Sequence, residues 1–149
     1  MEKYFKTEQG ELVNIVEHTL DQIEKWPNLR IRIGTDSQNY SGITRYVTTI
    51  VYRYGNRGAH YIFYREDIPR IKNEWIRLYD EGLRTIAAAD MLQSEIPVAI
   101  EALEFDYNDN KKTLSSQLVQ TFKSWGGFTA AFKSGEMLAC KAADHICRR

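Results

Sequence analysis

The chain has 149 residues, 43% of them hydrophobic and 27% charged, with three prolines and nine glycines. This composition describes one compact domain that buries about two thirds of the surface its unfolded state exposes, and it excludes disordered, collagenous and disulfide-scaffold classes. Twenty Lys and Arg balance twenty Asp and Glu, so the whole-chain charge selects no polyanionic partner. No apolar run approaches the roughly 20 residues of a bilayer span, and the N-terminus is too charged for a secretory signal, so a cytoplasmic location is expected.

Leu12, Ile15, Val16, Thr19, Leu20 and Ile23 recur at helical spacing between Gly10 and Pro27, which predicts an amphipathic helix over 11–26. Residues 29–36, 46–54 and 59–64 are rich in Ile, Val, Thr and Tyr and are separated by turn signals; they read as an antiparallel meander. Pro69 opens a second predicted helix to Leu92, with Trp75, Leu78, Tyr79, Gly82, Ile86 and Ala89 on its apolar face. A strand over 97–105 ends at Asp106. A helix over 114–125, capped by Thr113 or Ser115 and ended by Gly126 and Gly127, a strand over 128–132 and a helix over 136–147 complete the chain. Three meander strands and two crossover units imply an α/β fold: a five-stranded mixed sheet flanked by helices, with an extra N-terminal helix.

Charge is segregated along the chain. Residues 78–110 hold eight acids against Arg84 alone, whereas 111–149 hold seven bases against Glu136 and Asp144. Such blocks are commonly solvated faces. Cys140 and Cys147 fall in one predicted helix, about 10 Å apart along its axis, so they read as reduced, packed thiols and not as a bridge.

The most informative string is Gly34-Thr35-Asp36-Ser37-Gln38, where an apolar strand delivers a carboxylate at its end. Asp36 either turns the chain or serves chemistry, and the string alone leaves both open. By strand alternation Asp36 shares a face with Arg30, Arg32 and Gly34, the less apolar one.

With this string, Tyr79-Asp80-Glu81, Glu104-Phe105-Asp106 and Ala142-Ala143-Asp144, the chain resembles the ribonuclease H-like superfamily, and within it the YkuK-like branch of predicted nucleases. The resemblance implies four clustered acids, Asp36, Glu81, Asp106 and Asp144, serving as catalytic metal ligands; Glu104, two residues before Asp106 and hence on the same strand face, is a fifth candidate ligand that could replace or supplement it. It also implies Mg²⁺ or Mn²⁺ as cofactor, because oxygen ligands suit these hard ions and a two-metal site hydrolyses phosphodiesters. Ser37, Gln38, Lys111, Lys112 and Lys133 are the candidate contacts to a nucleic acid, be it RNA, an RNA/DNA hybrid or structured DNA.

Two departures bear on activity. Relatives in this branch tend to carry Pro-Asp after the lysine of the last strand, where this chain has Ser134-Gly135, and the loop over 108–112 is not glycine-rich. They support a second reading, a catalytically inactive nucleic-acid-binding or assembly module that keeps the fold. His145 points about 100° from Asp144 on a helix, and His18 and His60 show no partner pattern; all three read as structural or surface residues. Walker-type loops, zinc-ligand spacings and Gly-x-Ser-x-Gly elbows are missing from the sequence.

Overall fold

Runs of β-branched and aromatic residues supply the central strands, and the computed structural model, which describes residues 3–107, 115–125, 127–133 and 137–149, places them in one sheet. In chain order the elements are β1 (Tyr4–Thr7), β2 (Leu12–Asn14), α1 (Ile15–Lys25), β3 (Arg30–Asn39), β4 (Ile43–Arg53), β5 (Ala59–Pro69), α2 (Glu74–Glu95), β6 (Ala102–Phe105), α3 (Ser115–Lys123), β7 (Ala130–Phe132) and α4 (Leu138–Cys147). The sheet order is β2-β1-β5-β4-β3-β6-β7. β3, β4 and β5 form the predicted antiparallel meander, while β6 joins β3, and β7 joins β6, in parallel. Among the described residues the sheet thus has seven strands and not the expected five.

The two additional strands come from the segment before and at the start of the predicted first helix. Gly10, at φ +85, closes a turn in which its N–H donates to Thr7 O at 2.9 Å, and Thr7 N donates to Glu11 O at 2.8 Å. Positive φ is a conformation glycine adopts without steric cost. Leu12, although in phase with the helix, therefore lies in β2 and is 62% exposed. The helix begins only after Asn14, whose side-chain oxygen accepts from Val16 N and Glu17 N. Two further boundaries move. Pro69 ends β5 opposite Ile43, and α2 starts after Asn73, whose side chain accepts from Ile76 N at 3.0 Å. The strand expected over 97–105 is confined to Ala102–Phe105, although Glu101 N already donates to Ile31 O at 2.8 Å. The loop over 108–112 and the Ser134-Gly135 pair lie outside the described residues.

Strand alternation divides the sheet into two differently covered faces. On one, Ile31, Ile33, Ile50, Tyr52, Ile62, Leu103 and Phe105 pack with Ile86, Ala89 and Leu92 of α2 and with Leu118, Val119 and Phe122 of α3. Each such aliphatic or aromatic side chain contributes about 1.5–3 kcal/mol on burial. Gly82 allows the close approach of α2 and α3, since a Cβ there would stand 2.2 Å from Phe122 Cζ. On the opposite face α4 lays Ala143, Ile146 and Cys147 over Val47. Gly34 lets this helix sit directly on β3: a Cβ would stand 2.9 Å from Cys140 Sγ and 3.0 Å from Cys140 N. Cys140 and Cys147 are free and buried, as the spacing predicted, and burial pushes both thiols well up.

Candidate active site

The parallel pairing of β3 with β6 decides which acids meet. Gly34 lies opposite Glu104, so continuing that register two residues brings Asp106 alongside Asp36, on the face that α4 covers. From α4, Asp144 comes close enough to Asp36 for the two carboxyl groups to act on each other. Burial, followed by the hydrogen bond and charge of Asp144 and then the charge of Asp106, raises the Asp36 pKa from 3.8 to about 7. Asp144 remains half-buried and its Oδ1 also accepts from Arg148 Nε at 2.8 Å. The less apolar face expected for Asp36 is therefore not a solvent face; it is the one roofed by α4.

Glu81 approaches from the other side of the sheet. It is 3% exposed on α2 and accepts a hydrogen bond from the Ser37 hydroxyl, the residue next to Asp36. Arg77, one helical turn earlier, donates to Ser37 Oγ at 2.6 Å and lies 3.8 Å from the Glu81 carboxylate. Burial, and after it the charge of Asp36, holds the Glu81 pKa well above the ordinary carboxylate range, and Asp106 acts in the same direction. The three aspartates thus share one face at the ends of β3 and β6, with Glu81 coupled to them through the sheet. Among the described residues no three His, Cys, Asp or Glu side chains are already drawn together as a metal-binding group.

Glu104 has both oxygens engaged. Oε2 accepts from Arg32 Nε at 2.6 Å and Oε1 from Cys140 N at 3.0 Å, so a fully buried carboxylate ties β6 to β3 and to the N-terminal turn of α4. Helix N-termini favour negative charge. Glu101 completes the network by accepting from Arg32 Nη1 at 2.7 Å. The sequence reading missed this network and missed Arg77. The signals were there: Arg32 shares strand parity with Asp36, and Arg77 precedes Glu81 by four residues.

Of the other expected contacts, Ser37 is buried between Glu81 and Arg77, and Gln38 is half-buried on the Asp36 side of β3. Lys133 is exposed just beyond β7, with its N–H directed at Tyr107 O at 3.4 Å. Lys111 and Lys112 lie outside the described residues. His145 is exposed, as expected. His18 and His60 do have a partner, each other: their Nε2 atoms are 2.8 Å apart, and burial, with His60 next for His18, lowers both pKa values.

A family profile described as Ribonuclease H-like matches residues 12–148. With the mixed sheet flanked by helices, this match places the chain in the ribonuclease H-like family. No curated protein and no solved structure shows significant similarity to the chain. Membership supports a nuclease or nucleic-acid-binding activity at the coarse level, and does not extend to the YkuK-like branch. No helix among the described residues is long and apolar enough to cross a membrane.

Proposed function

We propose that the protein is a divalent-metal-dependent nuclease acting on RNA, RNA/DNA hybrid or structured DNA, of the YkuK-like kind. The observation that supports this reading best is the approach of Asp36, Asp106 and Asp144 on one sheet face in a chain of this family. Like-charged carboxylates brought together cost stability unless a proton or a cation sits among them.

The donor set fits Mg²⁺ or Mn²⁺, because all candidate ligands are carboxylate oxygens. Asp36 and Asp144 would hold the ion once Asp36 gives up its proton, with Asp106 beside them and Glu81 available from below once it ionises. The chemistry such ions would supply there is activation of a water and charge stabilisation of the leaving oxygen of a phosphodiester. Asp36 sits at the centre and orients Asp144, while Arg148 keeps Asp144 turned toward the surface. Arg77 and Ser37 hold Glu81 in position. Lys133, Gln38, Lys111 and Lys112 are proposed as contacts to the nucleic acid.

One observation favours the second reading, an inactive binding module: three acids are not yet gathered as a metal-binding group among the described residues. Cleavage of labelled RNA, hybrid and branched DNA with Mn²⁺ separates the two. The nuclease reading expects turnover that falls to background in Asp36→Asn. Absence of turnover by the wild-type chain on all three substrates, with nucleic-acid binding retained, selects the inactive module.

A further inference from the structure

The face of the sheet that carries the aspartates is only partly roofed. α4 covers Gly34 and Thr49, whose hydroxyl donates to Ala139 O at 2.6 Å. The same row of cross-strand partners continues from Thr49 to Phe63, which packs at the edge of the cluster under α4, and on to Lys6 and Leu12, where the face is open. It forms the floor of a groove of about 660 Å³, walled by the last turn of α4 and lined by Tyr4, Lys6, Phe63, Arg65, Ile146 and Arg149. This volume falls within the roughly 300–1,000 Å³ of ligand-binding clefts.

Its chemistry is specific. Lys6, Arg65 and Arg149 are exposed, and their side chains have no ion-pair partner among the described residues; Glu8 is the one acid in the lining. Phe63 is half-buried between them and Tyr4 is 49% exposed at the rim. Cations interleaved with aromatic faces suit a phosphate backbone whose bases are free to stack, whereas paired bases in a duplex present no open faces. Position adds a second argument. Arg65 pairs with Val47, which pairs with Asp36, so the arginine stands about 10 Å from that carboxylate's strand along one row. Arg149 lines the groove while the adjacent Arg148 holds Asp144.

We propose that this groove, built by the N-terminal hairpin and the end of α4, binds the backbone of a single-stranded nucleic acid and leads it over α4 toward Asp144 and Asp36. The direction of the strand rests on the nuclease reading above; the binding site itself does not. The test uses the full chain in EDTA and follows the anisotropy of a fluorescein-labelled oligouridylate and of the matching duplex. The wild-type chain is expected to bind the single strand in preference. Lys6→Gln/Arg65→Gln should weaken binding about tenfold or more and lower the salt slope by about 1.4, the value for two lost single-strand phosphate contacts. Should that double variant fail to fold, Arg149→Gln gives the same readout without altering a strand, with a slope change of about 0.7.

Absence of single-strand binding, preference for the duplex, or unaltered affinity and salt slope in the variants overturns the proposal. The two readings fail separately. Groove-dependent binding without cleavage removes the nuclease and keeps the groove; cleavage with variant-insensitive binding does the reverse.

Discussion

Replacing Asp36 by Asn leaves a side chain of the same shape that carries no charge at any pH. In the wild-type chain the native Asp36 pKa of about 7 stands above the ordinary 3.8, so the folded state holds its proton more tightly than the unfolded state. The linked stability is complete below about pH 4 and is lost as pH rises through about 7, after which it stays constant. The shift from 3.8 to about 7 sets an upper bound of about 4 kcal/mol, which partial solvent access reduces to about 2 kcal/mol. Asp36→Asn lacks this loss. From pH 4 to pH 8 it should gain about 2 kcal/mol on the wild type, or roughly 4–8 °C in Tm. Calorimetric melting of both proteins across this range measures the difference. Mn²⁺ supplies the second arm: an ion bound only by the native state at 100 times its Kd adds about 2.7 kcal/mol. That gain should appear in the wild type at pH 8, shrink at pH 5 as protons compete, and be lost in the variant. A constant stability difference between the two proteins over the whole pH range refutes the raised Asp36 pKa, and an equal Mn²⁺ response in both removes Asp36 from the ligands of the ion.

Three further outcomes follow from the packing around the site. Gly34→Ala places a methyl 2.9 Å from Cys140 Sγ and 3.0 Å from its backbone nitrogen, so urea unfolding should show a loss of about 1–3 kcal/mol and the Mn²⁺ response should weaken as α4 lifts Asp144 away. Arg32→Met strands the buried Glu104 carboxylate and should cost about 3–5 kcal/mol, largely restored when Glu104→Gln is added, both read by denaturant midpoint. The His18–His60 pair acts in the opposite pH direction to Asp36. Both native pKa values lie below 6.5, so their contribution is present above that pH and lost as pH falls. His18→Gln/His60→Gln should therefore lose less stability than the wild type between pH 7.5 and pH 5.5, and a parallel decline would contradict the pairing.

The sequence was most legible where local pattern and long-range packing agree. The meander strands, the apolar face of α2 with Gly82 and Ile86, and the buried thiols on α4 all follow from periodicity, because each element buries the stripe its spacing presents. The N-terminal hairpin failed that test. Leu12 keeps helical phase with Ile15, yet the turn at Gly10 and the cap at Asn14 break the helix between them, and the edge beside β5 offers backbone partners that a short helical turn has no means to match.

The chain by itself determines its strand and helix stripes, the segregation of charge and the motifs that resemble the ribonuclease H-like pattern, since all of these are properties of neighbours in sequence. Which carboxylates share an environment is decided only by the tertiary structure. Strand parity puts Glu104 on the same face as Asp36 and Asp106, but Arg32 and the α4 N-terminus occupy both of its oxygens, whereas Asp36 is left to Asp144. An acid's role depends on the charge and hydrogen bonds around it, and those partners come from residues 36 to 108 positions away in the chain. No local spacing encodes them; the register of β3 against β6 and the seating of α4 on Gly34 do.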